Sequence, residues 1–173
     1  MPSTIRLHRV LRGTPERVFR AFTDPDAMAK WLPPYGFTGK VHQIDVKVGA
    51  THKMSFTNMT SGKSHSFGGT YLEIKPNEII RYTDKFDDPN LPGEMQVTVT
   101  MKKVSCGTAL TVVQEGVPDV IPAEACYLGW QESPCNWRTW WIRKSRIDSA
   151  QPPLVNWGQT RFSSLPLCGR VHG

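Results

Sequence analysis

Alternation of apolar and polar residues is the feature that most constrains the fold of this chain. It is clearest over residues 94–104, where methionines and valines alternate with glutamine, threonine and lysine. This period of two predicts a β-strand with one apolar face and one face in water. A sheet built from such strands buries its apolar face against a second layer, so the chain has to supply helices or another sheet to cover it.

Turn residues divide the chain into seven predicted strands. Glycine, proline and asparagine interrupt the alternating segments at Gly49, Gly62, Pro76-Asn77 and residues 87–93, and these residue types favour turn conformations. The predicted strands are residues 3–12, 41–48, 53–59, 66–74, 78–86, 94–104 and 108–114.

Start and stop signals predict three helices. A first short helix begins at Thr14 and closes near Asp24, and a second spans residues 26–32 with Asp26 as its cap. A longer helix begins near Pro122, and its apolar residues form one stripe: Ala123, Cys126, Tyr127 and Trp130. The order of these elements predicts an α+β fold in which a curved antiparallel sheet is covered by the C-terminal helix.

Length and charge exclude several classes of protein. A chain of 173 residues is expected to form one domain, and no apolar run reaches the roughly 20 residues that cross a bilayer. Residues 1–134 carry a net charge of +1 and residues 135–173 carry +5, so the basic character belongs to the tail and does not indicate a nucleic-acid partner. The N-terminus lacks the pattern of a secretory signal and the four cysteines lack metal-ligand spacing, so we expect a cytoplasmic protein without a zinc site.

Short motifs run in a fixed order along residues 5–133. They are Thr14-Pro15-Glu16-Arg17-Val18-Phe19, Trp31-Leu32, Asp45 with Val48-Gly49, Gly69-Thr70-Tyr71-Leu72-Glu73-Ile74, Pro76 with Glu78-Ile79, Thr108 with Leu110-Thr111, and Gly129-Trp130. In this order and spacing they resemble the START-like (SRPBCC) superfamily, and within it proteins similar to the C-terminal domain of the Hsp90 ATPase activator. The family usually has Gly-Gly where this chain has Gly49-Ala50.

The resemblance implies the helix-grip fold, a curved antiparallel sheet around a long C-terminal helix with two short helices after the first strand. Members are carriers of apolar small molecules, polyketide cyclases or aromatases, and chaperone partners, so the fold alone does not determine the function. We expect non-enzymatic binding of a small hydrophobic or amphipathic ligand by a monomer or homodimer, with no cofactor. The alternatives are a partner of an Hsp90-type chaperone that activates its ATPase, and a cyclase- or aromatase-like enzyme.

The expected binding site is a cavity between the sheet and the C-terminal helix. Its predicted lining is mostly apolar with a few polar groups, which is typical of small-molecule sites. The predicted lining residues are Trp31 and Phe37 at the mouth, Met54, Phe56, Tyr71, Tyr82, Phe86, Met95 and Val97 on the sheet, and Tyr127 and Trp130 on the helix. For each of these residues the alternative is that the side chain only fills the core.

Candidate catalytic and metal-binding residues are scattered along the chain. His42, His52 and His65 lie on or beside neighbouring strands, but isolated strand histidines are expected at the surface rather than as metal ligands. Acid–base chemistry would need a carboxylate with a perturbed pKa inside the cavity. The conceivable carboxylates are Glu73, Glu115 and Asp45. Glu73 is expected to point outward and Asp45 to order a turn. Neither a catalytic residue nor a metal site is therefore predicted.

The pattern of the last helix is interrupted at Pro134, where a proline inside a helix costs about 3 kcal/mol or more. In family members this helix continues for several turns with leucines facing the sheet. Reading the codons one base ahead yields Leu at the Asn136-Trp137 junction and Val at Trp140-Trp141, which restores an apolar stripe. We therefore interpret residues 135–173 as the product of a one-base frameshift appended to a START-like domain of residues 1–134. Sequencing of the coding DNA tests this interpretation.

A second interpretation keeps the written reading frame. Trp137, Trp140 and Trp141 have the i, i+3, i+4 spacing of an apolar helix face, with basic residues on the outside. Under either interpretation residues 149–173 contain prolines and no periodicity, which indicates a poorly ordered chain rather than a domain.

Overall fold

A computed structural model describes residues 3–132, which form one seven-stranded sheet with helices against its apolar face. The elements are β1 Ser3–Leu11, α1 Pro15–Thr23, α2 Pro25–Trp31, β2 Phe37–Ile44, β3 Thr51–Asn58, β4 Ser64–Lys75, β5 Ile79–Phe86, β6 Met95–Val104, β7 Gly107–Val117 and α3, residues 123–132. No helix among these elements is long and apolar enough to cross a membrane. The frameshift interpretation of residues 135–173 and its alternative fall outside the described residues.

The sheet is antiparallel throughout and has the strand order β1-β7-β6-β5-β4-β3-β2, so β1 and β2 are its two edges. The register shifts between Val41 and Gln43 in β2 and between Tyr71 and Glu73 in β4. Irregularities of this kind increase the local twist and bend the strand, which curves the sheet toward its helices. The predicted α+β helix-grip architecture is therefore confirmed.

The predicted alternation of β6 matches its burial. The apolar side chains of this strand, Met95, Val97, Val99 and Met101, are each no more than 4% exposed. α1 packs on β6 and β7, and its residues Val18 and Phe22 share one core cluster with Val97 and Val99. The apolar face of the central strands is thus covered by α1 at one end of the sheet.

Asp24, not Asp26, caps α2. The Asp24 carboxylate accepts a hydrogen bond from the backbone N–H of Ala27 at 3.0 Å, and Pro25 takes the first helical position. Proline is favoured there because its missing N–H has no helical partner in any case. The two short helices therefore follow one another with Asp24 as the single residue between them.

β2 begins and ends about four residues earlier than predicted, because the segment after Ile44 forms a tight turn. The N–H of Lys47 donates to Asp45 O at 2.9 Å, and the N–H of Gly49 donates to Tyr71 O at 2.8 Å. Gly49 has a φ of 83°, a conformation that glycine adopts without steric cost. Val48, predicted to lie in the strand, is consequently 63% exposed.

Candidate functional site

A cavity of about 340 Å³ lies between the sheet and α3. This volume falls within the range of small-molecule sites in proteins. Its wall consists of Leu32, Pro34, Phe37, Phe56, His65, Phe67, Tyr82, Asp84, Phe86, Leu91, Met95, Gln114, Cys126, Gly129 and Trp130. Strands β2 to β7, the loop after α2, the loop after β5 and one face of α3 all contribute to this wall.

The sheet brings these side chains together through its period of two. In β5 the residues of one phase are Ile80, Tyr82, Asp84 and Phe86, and in β3 they are His52, Met54 and Phe56. Successive residues of one phase point to the same face of a sheet. Each strand therefore places a polar residue on the same face as its apolar residues: Asp84 in β5 and His52 in β3.

His52 and Asp84 form a buried polar pair beside the cavity. The distance from His52 Nε2 to Asp84 Oδ1 is 3.8 Å, and only 4% of the His52 side chain and 14% of the Asp84 side chain are exposed. This distance exceeds that of a hydrogen bond. Within the described residues, His52 Nδ1 and Asp84 Oδ1 are buried without a hydrogen-bond partner. The pair therefore leaves unused hydrogen-bonding capacity beside the cavity.

Gly69 of β4 lies between the two residues of this pair in the sheet register. His52 of β3 is the register partner of Gly69 in β4, and Asp84 of β5 lies beside Gly69 between the pairs Gly68–Lys85 and Tyr71–Tyr82. A Cβ at Gly69 would collide with the backbone oxygen of Thr83. The close approach of the β5 backbone at Thr83 therefore explains why position 69 carries no side chain.

Tyr71 and Tyr82 flank the pair. Their ring centroids lie 5.3 Å and 5.1 Å from the His52 ring. Burial, assisted by the nearby negative charge of Asp84, raises the pKa of Tyr71 to about 12 and raises the pKa of Tyr82 as well. Burial also raises the pKa of Asp84, while His52 opposes part of this effect. Both tyrosines are therefore neutral hydroxyl groups at physiological pH.

Among the described residues, the side chains of Trp130 and Glu132 hydrogen-bond α3 to the rest of the protein around the cavity. Trp130 Nε1 donates to Gln114 Oε1 at 2.7 Å, and the Gln114 amide nitrogen contacts Met95 Sδ at 3.1 Å. The backbone N–H of Tyr35 donates to Glu132 Oε2 at 3.1 Å, which connects the end of the described helix to the loop after α2. Trp130 is thereby held with its ring against the cavity wall.

The structure places six of the predicted lining residues on the cavity wall: Phe37, Phe56, Tyr82, Phe86, Met95 and Trp130. Met54 and Tyr71 line a smaller adjoining space of about 20 Å³, which shares Tyr82 and Asp84 with the main cavity. The other three predicted residues lie elsewhere. Trp31 and Val97 are 1% exposed in the core, and Tyr127 is 39% exposed on α3. Contact of any of these residues with a ligand stays a prediction.

Trp31, the last residue of α2, lies in the core because its side chain packs against α1. Its Nε1 donates to the backbone oxygen of Ala21 at 2.8 Å, and its ring meets Phe22 edge-on with centroids 4.7 Å apart. Tyr127 departs from the predicted stripe because the cavity face of α3 is formed by Cys126, Gly129 and Trp130, at i, i+3 and i+4.

The three carboxylates considered from the sequence lie outside the cavity wall. Glu73 contacts Lys75 at 3.0 Å and Arg81 at 3.3 Å, and these charges lower its pKa. Asp45 has a half-exposed side chain 3.5 Å from Lys47, and Glu115 is exposed.

The expectation that the strand histidines lie at the surface is wrong for His52, which is 5% exposed. His42 is exposed and hydrogen-bonded to Ser55 Oγ at 2.8 Å, and His65 is exposed at the rim of the cavity. The described part of the chain contains no group of three or more side chains arranged to hold a metal ion.

Sequence reasoning missed Asp84, Gln114 and the role of His52. The signal was present in the strand phase, because Asp84 follows Ile80 and Tyr82 at intervals of two and His52 precedes Met54 and Phe56 in the same way. A polar residue in the apolar phase of a strand is costly to bury, which marks it as a candidate for a structural or functional role.

Comparison with known proteins identifies the family. Residues 12–134 match the profile of the family described as "Activator of Hsp90 ATPase homolog 1-like protein". The search of curated proteins found no match. The crystal structure of protein CV1439 from Chromobacterium violaceum is 60% identical, with 79% of this chain and 94% of that chain covered and a TM-score of 0.77.

More distant structures share the fold. A protein from Rhodobacter sphaeroides is 19% identical over 82% of this chain and 93% of its own, with a TM-score of 0.72. The AHSA1 protein SPO3351 from Silicibacter pomeroyi is 19% identical over 82% of this chain and 99% of its own, with a TM-score of 0.70. The family match spans well over half of the sequence, and the chain belongs to the Activator of Hsp90 ATPase homolog 1-like family, with the START-like helix-grip fold.

Proposed function

We propose that this protein binds a small hydrophobic or amphipathic molecule, without transforming it, in the cavity between the sheet and α3. The observation that carries the proposal is the 340 Å³ cavity, whose wall is mainly aromatic and aliphatic with a few polar groups. Burial of apolar surface is worth roughly 25 cal/mol per Å², so a ligand that covers these rings gains affinity from desolvation alone. We also propose a cytoplasmic location, since the N-terminus lacks the pattern of a secretory signal.

Gly129 offers a direct test, because it lies on the cavity wall and a Cβ built on it would meet no atom within 4 Å. A Gly129→Leu variant is expected to fill part of the cavity, and its Cβ meets no other atom. Replacing glycine inside a helix is also favourable by up to about 1 kcal/mol, so the variant is expected to fold. Ala125→Leu adds the same side chain to the exposed side of α3 and serves as the matched control.

The measurement is titration with N-phenyl-1-naphthylamine, a fluorescent apolar probe. We expect Gly129→Leu to weaken its binding by about tenfold or more, since a lost contact of 1.4 kcal/mol corresponds to that factor, and Ala125→Leu to bind like the unchanged protein. Equal binding by both variants would mean that the probe is held elsewhere. Native mass spectrometry of protein purified from its own cells then reveals whether a small molecule is retained.

A second candidate is an interaction with an Hsp90-type chaperone, and the observation that favours it is the family description. In this case the protein would act through its surface and stimulate ATP hydrolysis by the chaperone. The two candidates are separated by the Gly129→Leu variant in an ATPase assay with Hsp90 of the same organism. Stimulation that survives filling of the cavity supports a surface interaction, and the absence of stimulation by the unchanged protein eliminates this candidate.

A further inference from the structure

The described part of the cavity wall contains an acidic residue but no lysine or arginine to balance it. Among its fifteen residues Asp84 is the one carboxylate, and no lysine or arginine of the described chain belongs to this wall. Gln114 is already engaged by Trp130 and Met95, and His65 lies at the exposed rim. A ligand with an anionic head would therefore find no cationic partner on this wall and would face the Asp84 carboxylate.

Asp84 is incompletely satisfied by the protein itself. Its Oδ1 has no hydrogen-bond partner among the described residues, and the nearest His52 nitrogen is 3.8 Å away. A buried polar atom without a partner is costly, and a group that supplies a hydrogen bond to it recovers that cost. Burial raises the pKa of Asp84, and the nearby His52 and the backbone N–H of Lys85 offset part of this effect. A donor on a ligand would complete the site.

Aromatic rings extend from Asp84 along the cavity. The ring centroid of Phe67 lies 4.7 Å from that of Phe56 and 6.0 Å from that of Phe86. Tyr82 and Trp130 are further aromatic residues of this wall. The faces of aromatic rings carry negative electrostatic potential and attract cations, and the same rings accept apolar chains. Both properties favour a molecule with a cationic head and an apolar tail.

We propose that the ligand is an amphipathic organic amine, whose ammonium group lies against Asp84 and whose apolar tail occupies the aromatic part of the cavity. This inference deepens the proposed function and rests on it. An ammonium group donates charge-assisted hydrogen bonds to a carboxylate, and these are about twice as strong as bonds between neutral groups.

The test compares three ligands that share one tail, octylamine, octan-1-ol and octanoate, by calorimetric titration of the full chain at neutral pH. We expect octylamine to bind about tenfold tighter than octan-1-ol and octanoate to bind weakest. In Asp84→Asn the amide keeps the shape of the carboxylate but not its charge. The variant is therefore expected to bind octylamine only as tightly as octan-1-ol, and to bind octan-1-ol about as tightly as the unchanged protein does. Asp87→Asn is the matched control, because Asp87 is exposed and pairs with Lys53 at 2.8 Å outside this cavity.

The outcomes separate the inference from the proposed function. Tighter binding of octan-1-ol or octanoate, or an octylamine preference that persists in Asp84→Asn, would overturn the amine assignment and leave cavity binding standing. The amine assignment is also overturned if none of the three ligands binds to a protein that still binds N-phenyl-1-naphthylamine. Absence of binding by all four compounds would overturn both the amine assignment and the proposed ligand-binding function. Circular dichroism of each variant verifies that it is folded.

Discussion

Replacement of Trp31 by phenylalanine tests whether this residue belongs to the core rather than to the cavity mouth. In an α-helix the oxygen of Ala21 would accept from the N–H of residue 25, but residue 25 is proline and has no N–H. Trp31 Nε1 supplies this donor at 2.8 Å. The tryptophan thus completes the hydrogen bonding of α1 at the point where α2 begins.

The cost of Trp31→Phe has two parts. Loss of the indole N–H leaves the buried Ala21 oxygen without this donor, which costs about 1–3 kcal/mol. The smaller ring also gives up apolar burial worth about 1 kcal/mol. Because the side chain is 1% exposed, water does not readily replace either interaction. We therefore expect a decrease of about 2–4 kcal/mol in the free energy of unfolding, a large share of the 5–15 kcal/mol typical of a domain.

Trp130→Phe is the matched comparison, because it removes the same atoms from a ring on the cavity wall. The lost bond is to Gln114 Oε1, which lies beside a cavity large enough for solvent, so a smaller cost of about 1 kcal/mol is expected. Urea unfolding followed by circular dichroism gives both values, and titration with N-phenyl-1-naphthylamine gives the affinity. Trp31→Phe is expected to preserve probe binding and Trp130→Phe to weaken it. A cost below about 1 kcal/mol for Trp31→Phe, or a larger loss of probe affinity there than at Trp130, would refute the core assignment.

Three further substitutions test the pair at the cavity and the helix junction. Burial raises the pKa of Asp84 above its ordinary 3.8, so the folded protein loses stability as pH rises from the unfolded-state pKa through the folded-state pKa. Asp84→Asn is therefore expected to be more stable than the unchanged protein at pH 7, and this gain should shrink in unfolding measurements at lower pH. A gain that is independent of pH would contradict the assignment. Gly69→Ala places a methyl group against the Thr83 backbone oxygen and should cost about 1–3 kcal/mol or more in thermal denaturation, whereas Gly13→Ala, where a Cβ meets nothing within 4 Å, should cost little. Asp24→Ala removes the cap of α2 and should lower the free energy of unfolding by about 1 kcal/mol in urea. Asp26→Ala should lower it by a few tenths of a kcal/mol at most. If Asp26→Ala has the larger effect, Asp26 is the cap.

The sheet could be predicted from the sequence because its determinants are local. Alternation assigns each strand, and turn residues separate neighbouring strands, so all seven strands were expected. The antiparallel order of β2 to β7 follows from short connections, whereas the pairing of β1 with β7 joins distant parts of the chain. The largest displacement is in β2, where the turn at residues 45–50 depends on a bond from Gly49 to Tyr71. That bond joins positions far apart in the sequence, and a local pattern does not contain it.

The division between cavity and core could not be predicted in the same way. Period two identifies which side chains face inward, and Met95 and Val97 share a phase in β6. Met95 and Val97 differ in the helix that covers each of them. Val97 clusters with residues of α1, whereas Met95 clusters with Cys126 of α3 and borders the cavity. The path of the helical layer over the sheet decides this difference, and the resemblance to a fold gives that path only approximately.

The His52–Asp84 pair shows what kind of information is needed to predict such a site. Each residue stands in the apolar phase of its own strand, so each was detectable alone as a buried polar side chain. Their meeting depends on the register of three strands, in which Gly69 of the middle strand lies between them. The register therefore has to be known before the two residues can be assigned to one site. The close approach of Gly69 to the Thr83 backbone explains separately why position 69 does not accept a side chain.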